Sequence, residues 1–199
     1  MYERIMTSKS DIIFRLAMPE DAQSVLDIYA PIVFNTSISF EETPPNEIEM
    51  RARIEKTIEK YPWIVATKSD SKILGYAYAS SHRERSAYKW SVDVSVYVGE
   101  EFRGQNLGKK LYKELFKILQ KQNYYRAFAG IVLPNEASIC LHESMGFTRL
   151  GTYRDVGYKH NKWHDVGWWE LTLKGPDLLP NAPLRLKEMP KLEERFVLS

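Results

Sequence analysis

The 199-residue chain reads as a single α/β domain built on a mixed, mostly antiparallel sheet flanked by helices. Three observations predict this. Short apolar runs rich in β-branched and aromatic residues alternate irregularly with amphipathic stretches, the pattern of a mixed rather than a wholly parallel sheet. The run Trp90-Ser91-Val92-Asp93-Val94-Ser95-Val96-Tyr97-Val98 alternates strictly. It puts Val92, Val94, Val96 and Val98 on one face and Ser91, Asp93, Ser95 and Tyr97 on the other. That run leads straight into a glycine-containing turn, which opens an amphipathic helix.

Taken in order, residues 1–11 are polar and expected to be flexible. Ile12, Ile13, Phe14 and Leu16 form a first strand. Pro19-Glu20-Asp21 opens a helix, because proline suits the first turn and acids suit the positive helix end. Ala22, Val25, Leu26, Tyr29 and Ile32 then recur at helical spacing. Residues 35–45 are a loop centred on Phe40-Glu41-Glu42. Residues 46–60 form a charged helix with one solvated face. Strands over 63–67 and 73–80 flank the turn Ser69-Asp70-Ser71-Lys72 as a hairpin. After the alternating strand and the turn, Leu107, Leu111, Leu115, Ile118 and Leu119 mark the buried face of the next helix. Residues 127–133 read as a strand. A short helix runs from Pro134-Asn135-Glu136 to the stop at Gly146. Strands over 147–158, bent near Gly151, and 166–173 make a last hairpin around His160-Asn161-Lys162-Trp163. The domain spans 12–174. Residues 175–199 are a proline-punctuated extension expected to stay out of the core.

Bulk properties narrow the function. With 28 Lys and Arg against 26 Asp and Glu, the net charge of +2 gives no strong pull toward nucleic acid or membrane. The single Cys140 leaves no internal disulfide and no cysteine-based zinc site. No apolar run approaches the roughly 20 residues that cross a bilayer. The N-terminus lacks the apolar core of a secretory signal. A cytoplasmic protein without a metal is expected.

The turn Arg103-Gly104-Gln105-Asn106-Leu107-Gly108-Lys109-Lys110 has its own chemistry. Glycines at a helix start let backbone N–H groups approach a ligand, and the positive helix end favours an anion. The spacing is not that of a triphosphate loop, since Gly104 and Gly108 are one residue too close and Lys109 is followed by Lys110. It is not a dinucleotide fingerprint either. Lysines at a positive helix end are unfavourable without an anion to offset them. The pyrophosphate of a nucleotide-like cofactor is the fitting ligand.

The same six residues, Arg103 to Gly108, resemble the Arg/Gln-x-x-Gly-x-Gly/Ala signature of the GNAT superfamily of N-acetyltransferases. Five further segments are similar to its phosphinothricin and methionine-sulfoximine acetyltransferase subgroup. They are Ser95-Val96-Tyr97-Val98, Leu133-Pro134-Asn135-Glu136-Ala137-Ser138, Leu141-His142-Glu143-Ser144-Met145-Gly146-Phe147, Val156-Gly157-Tyr158-Lys159 and Trp163-His164-Asp165-Val166-Gly167-Trp168-Trp169. The resemblance covers about residues 12–174. It departs at Asn106, where the family has glycine. Asparagine tolerates left-handed backbone well, at a strain on the order of 1 kcal/mol or less.

The resemblance implies a GNAT-like fold that binds acetyl-CoA. Val96, Tyr97 and Val98 would pair their backbone with the pantetheine arm, as an added strand would. Arg103, Gly104, Gln105, Asn106, Leu107, Gly108 and Lys109 would hold the pyrophosphate. Asn135 would contact the arm, cap its helix, or do both, and Ser144 would sit near the cofactor. Asp93 is the candidate general base, in a position where the subgroup usually has Glu; its shorter side chain favours a bridging water. An ion pair with Arg83 or Arg85 is its other reading. Phe40, Glu41, Arg83 and Arg85, with Asp93, Val94 and Ser95 on the strand, would line the acceptor site, where an arginine fork can clamp a carboxylate. Packing for Phe40 and a solvated loop for the arginines are the plainer alternatives. Cys140 is expected to be a buried small hydrophobe and His142 to be structural, while His164 reaches toward the acceptor or a partner subunit.

The implied activity is transfer of acetyl from acetyl-CoA to the amine of a small amino-acid-like acceptor by direct attack, in an enzyme expected to be a homodimer. Acetylation of protein N-termini or lysines, and a non-catalytic acyl-CoA-binding module, are the rival readings.

Overall fold

A computed structural model describes residues 12–68, 72–175, 177–189 and 195–197. The expected flexible N-terminus and the turn residues Ser69, Asp70 and Ser71 lie outside these. The chain runs β1 (Ile13–Leu16), α1 (Ala22–Asn35), α2 (Glu47–Ile58), β2 (Trp63–Thr67), β3 (Ile73–Ser81), β4 (Ser91–Val98), α3 (Leu107–Lys121), β5 (Arg126–Val132), α4 (Glu136–Ser144), β6 (Thr148–Lys159), β7 (Lys162–Thr172) and β8 (Arg195–Val197). The strands form one sheet in the order β6-β7-β5-β4-β3-β2-β1-β8. Among the pairings of the described residues, only β4 with β5 is parallel. The mixed, mostly antiparallel sheet expected from the sequence is therefore present. No helix of the described residues is long and apolar enough to cross a membrane.

Local signals set the elements. Asn46 caps α2 by accepting from the Glu49 N–H at 2.9 Å, while Glu49 accepts from the Asn46 N–H at 2.9 Å. This reciprocal box satisfies two donors that a helix start otherwise leaves orphaned. Pro19–Asp21 forms a 3-10 turn ahead of α1 rather than its first α-helical turn. The last hairpin is tighter than expected. Its turn is only His160-Asn161, both at positive φ (52° and 56°), so β6 and β7 pair from Lys159↔Lys162 onward. The pairing shifts register between Arg149 and Gly151, at the expected bend, and again between Tyr153 and Gly157.

The sheet separates two apolar layers. On one face, Val92 and Val94 of β4 pack with Leu111, Leu115 and Leu119 of α3. On the other, Val25, Tyr29, Met50 and Ile54 of α1 and α2 lie on Trp63, Val65 and Tyr76. The strict alternation read in residues 91–98 is thus a division between two layers: the valines meet α3, and Asp93, Ser95 and Tyr97 face α1 and α2.

The C-terminal extension corrects an expectation. Leu186 is 7% exposed and belongs to the main core. The fully buried Gln122 explains the docking: its Nε2 donates to the carbonyls of Lys60 (2.9 Å) and Leu184 (2.8 Å). The backbone of Leu184 and Leu186 bonds back to Gln122 and Lys60. A polar side chain at the end of α3 needs partners when buried, and the extension supplies one. Farther along, β8 adds to the β1 edge and covers it.

Lys159, 6% exposed, ties the last hairpin to the loop after α1. Its Nζ donates to the carbonyls of Val33 (2.6 Å) and Ser39 (2.7 Å). A cation at the C-terminal end of α1 is also favoured by the helix dipole.

Leu186→Ala should cost about 2 kcal/mol by leaving a cavity under the extension. A urea titration reads this as a lower midpoint at unchanged slope, and an unchanged midpoint would deny the extension any stabilising weight.

Candidate active site

The site begins where β4 and β5 part. They pair only from Ser91↔Arg126 to Asp93↔Phe128. Beyond that, β4 runs on to Val98 bonded to β3, and β5 runs on to Val132 bonded to β7. Each strand then presents one unpaired edge to a cleft lined by Val94, Ser95, Val96, Gly130, Asn135 and His142. Unpaired N–H and C=O groups are costly unless something pairs with them, and an extended amide-bearing chain would do so.

At the far end of β4 the chain enters the glycine turn. Gly104 sits at φ +74° and Asn106 at φ 60°, ψ 14°, both left-handed, with Asn106 at the N-cap of α3. Asparagine therefore adopts the backbone expected of it. Among the described residues, the N–H groups of Gly104, Gln105, Asn106, Leu107, Gly108 and Lys109 donate to no backbone carbonyl. A groove of about 510 Å³ runs beside them, lined by Arg103, Gly104, Asn106, Lys109, Cys140 and Ser144, among others. A Cβ on Gly108 would come within 3.0 Å of Leu141 Cδ2, so the glycine lets α3 and α4 close the groove floor. Arg103 Nε bonds the Val98 carbonyl at 3.4 Å and Gln105 Nε2 that of Glu101 at 3.0 Å. Asn135 caps α4 by accepting from the Ser138 N–H at 3.2 Å, and it also lines the cleft, so cap and cleft roles coincide.

Two expectations about α4 are resolved differently. Cys140 is exposed on the groove wall, not buried. The inward position of this short helix goes to His142, two residues on and therefore on the opposite side of the helix. His142 is 4% exposed. Its Nδ1 donates to the Ser138 carbonyl (2.8 Å), which leaves Nε2 to accept from the Tyr112 hydroxyl (2.9 Å). Burial pushes the imidazole down, against the raising effect of the Ser138 carbonyl. A neutral, structural histidine is the result.

On the α1–α2 side the register places Tyr78 opposite Ser95 and Ser80 opposite Asp93. A cavity of about 370 Å³ opens there, lined by Tyr29, Glu41, Arg53, Lys56, Tyr78 and Ser80, among others. Glu41 holds Arg53 through two contacts (2.7 and 3.1 Å) and accepts from the Tyr29 hydroxyl at 2.8 Å. Burial works to raise its carboxyl, but the Arg53 and Tyr29 hydrogen bonds prevail and hold it low. Phe40 lies against Gly157, where a Cβ would come within 2.3 Å of its ring. His164 ties the same loop down through Ser37 (3.0 Å) and the Lys159 carbonyl (3.0 Å). Arg83 stands 5.9 Å over the Trp168 ring and close enough to Asp93 to influence its charge. Among the described residues no hydrogen bond or ion pair links the Arg85 side chain to the others.

Asp93 is half-buried at the apex. Burial pushes its carboxyl up, opposed by the hydrogen bond and charge of His82 and by Arg83. The side chain that contacts it is thus neither arginine read from the sequence. It is His82, whose Nδ1 lies 2.6 Å from Asp93 Oδ1. Sequence reading missed His82, along with Arg53, Tyr78 and Tyr112. The antiparallel register that brings residue 82 beside 93 leaves no local signal.

Known proteins resemble this chain in sequence and fold. The acetyltransferase (GNAT) domain family matches residues 14–168. Phosphinothricin N-acetyltransferase of Streptomyces coelicolor is 39% identical over 171 residues, covering 84% of this chain and 100% of that protein. L-Methionine sulfoximine/L-methionine sulfone acetyltransferase of Pseudomonas aeruginosa is 32% identical, covering 77% of this chain and 90% of that one. The solved phosphinothricin acetyltransferase of Sinorhizobium meliloti, in complex with AcCoA, superposes with a TM-score of 0.80 at 35% identity, covering 84% and 92% of the two chains. The chain belongs to the GNAT acetyltransferase family. It is an acetyl-CoA-dependent N-acetyltransferase.

The residues present fit that donor. A free strand edge suits the pantetheine amides. Unpartnered N–H groups with Arg103 and Lys109 beside them suit a pyrophosphate.

Asn106→Gly should relieve left-handed strain already present in the free protein and so stabilise the fold by up to roughly 1 kcal/mol, read as a higher urea midpoint, with acetyl-CoA affinity by calorimetric titration staying within about twofold. Exposed Cys140 should be alkylated by iodoacetamide, and saturating acetyl-CoA should slow that labelling severalfold by mass spectrometry. Equal rates with and without acetyl-CoA would place the bound donor elsewhere.

Proposed function

We propose that this enzyme acetylates the amine of a small amino-acid-like acceptor of the phosphinothricin or methionine sulfoximine type, by direct attack within a ternary complex. One observation carries the reading. The half-buried Asp93 carboxylate sits on the last β4–β5 pair, where the cleft opens, and its residue lies opposite Ser80, which lines the cavity beneath α1 and α2. A proton acceptor at that junction serves an amine arriving from one side and an acyl group held on the other. The named activities of the relatives support the acceptor class.

In this reading acetyl-CoA supplies the acetyl group as an activated thioester. Val96, Tyr97 and Val98 bind the arm through backbone, and N–H groups on the free β4 edge polarise the reacting carbonyl. The turn from Arg103 to Lys109 holds the pyrophosphate, with Asn135 and Ser144 along the groove. Phe40, Glu41, Val94 and Ser95 shape the acceptor side, and Arg83 attracts the acceptor carboxylate. The Asp93 carboxylate supplies the negative charge that favours loss of the ammonium proton blocking nucleophilic attack. A homodimer belongs to the same reading. The last hairpin exposes Leu150, Tyr153, Val156, Tyr158 and Trp163 at about half their surface each, more apolar area than a lone hairpin favours.

A thiol-release assay with acetyl-CoA and a panel of amino-acid analogues tests the activity. Phosphinothricin or methionine sulfoximine should release thiol, and acetyl-CoA binding without release for any amine would sink the proposal. Asp93→Asn should lower kcat by about 10²-fold or more while acetyl-CoA affinity stays within about twofold. Light scattering should give twice the chain mass, and Trp163→Glu should shift it toward the single chain.

A further inference from the structure

His82 follows directly on β3, next to Ser81, which lines the cavity beneath α1 and α2. The ring stacks on Phe128, centroids 4.2 Å apart and planes 18° from parallel. Phe128 is the last residue of β5 to pair with β4, and it pairs with Asp93. Tyr88 and Trp168 flank the ring at 6.1 and 6.3 Å, close to edge-on. The imidazole is therefore held in orientation by three aromatic neighbours and by the 2.6 Å contact from Nδ1 to Asp93 Oδ1. Against a carboxylate, Nδ1 carries the hydrogen, which leaves a lone pair on Nε2. Among the described residues Nε2 has no hydrogen-bond partner. A histidine with one nitrogen fixed by a carboxylate and the other free is arranged as an oriented base.

We propose that His82 Nε2 takes the proton from the acceptor amine, with Asp93 orienting the ring, so that the base is a His82–Asp93 dyad rather than a carboxylate acting through water. This rests on the acetyltransferase reading above. The acceptor enters as an ammonium ion. One N–H bond breaks and an Nε2–H bond forms, giving an imidazolium paired with the Asp93 carboxylate. The freed lone pair forms the N–C bond at the thioester carbonyl carbon. The C–S bond breaks with its electron pair going to sulfur. The second proton shed by nitrogen ends on the thiolate, and the Nε2 proton passes to solvent, which resets the dyad. Other charged or titrating groups facing the pair are Arg83 on the same loop, Tyr88 beside the ring and Tyr78 of β3, whose charge would couple to Asp93. Phe128 of β5 and Trp168 of β7 add none.

The test compares His82→Phe with the unaltered protein and Asp93→Asn in the thiol-release assay across pH. Phenylalanine keeps the stack on Phe128 and removes both ring nitrogens. We expect kcat to fall by about 10²-fold or more with acetyl-CoA affinity unchanged. The acid limb of kcat/KM should move to lower pH, because a carboxylate then accepts the proton in place of the generally more basic imidazole. A purely buttressing histidine gives the opposite sign. His82 holds the Asp93 carboxyl down, so removing it would raise Asp93 and move the limb to higher pH. That result, or an unchanged profile, overturns the dyad. Nitrogen NMR of the unaltered protein supplies a readout that needs no variant: the neutral His82 ring should carry its hydrogen on Nδ1, and the Nε2–H tautomer would overturn the proposal. Release lost in Asp93→Asn but kept in His82→Phe removes the dyad and leaves the acetyltransferase reading standing. No release by the unaltered protein with any amine removes both.

Discussion

β4 and β5 run side by side from Ser91↔Arg126 to Asp93↔Phe128 and then part, and the site depends on that separation. Each strand is fully bonded on its outer side, β4 to β3 and β5 to β7. Their inner edges are left with backbone groups that no neighbouring strand satisfies. In a protein interior such an edge is a liability, while in a cleft it is a binding surface for anything with amides at strand spacing. The separation also decides where chemistry can occur. It begins at Asp93, so the first point at which a ligand can pass between the strands lies beside the half-buried carboxylate.

The two faces of β4 divide the work. The valine face is committed to α3 and fixes the strand in place. The opposite face carries Asp93, Ser95 and Tyr97 toward a cavity closed by α1, α2 and the loop between them. That loop is tied down from a distance. Lys159 donates to Val33 and Ser39, His164 bonds Ser37, and Phe40 rests on Gly157. These contacts come from the last hairpin, so strands at one end of the sheet anchor the loop that helps close the cavity over β2 and β3. The Glu41–Arg53 pair joins the loop to α2 from the other side.

Much of this is legible in the chain itself. The alternation of residues 91–98 assigns both faces of β4 correctly, because a strand's side-chain period of two leaves little latitude when one face is valine throughout. The turn can be read for an anion because lysines at a helix start add charge to an end that is already positive, and a bound anion offsets both. Glycine and asparagine at its left-handed positions fit the same reading. Three features are not legible without the third dimension. The extension looks like a proline-rich tail, although the buried amide of Gln122 requires carbonyl partners that residues 184–186 help to supply. Cys140 looks like a core residue from composition, although in a short helix only one side faces inward and His142 holds it. Asp93 looks like the partner of a nearby arginine, although a hairpin register decides such pairs.

The family, the order of the elements, the left-handed glycine turn ahead of α3 and the carboxylate near the start of the alternating strand are legible in the chain alone. Each of these is written in local spacing, in residue types with narrow backbone preferences, or in motifs that resemble a known family. Which side chains meet is a matter of the folded molecule: His82 with Asp93, Arg53 with Glu41, Tyr112 with His142, and Leu186 with the core. Those pairs join residues from 11 to 30 positions apart along the chain, and farther still for Leu186. Strand register and helix packing bring them together, and neither is encoded at any single position.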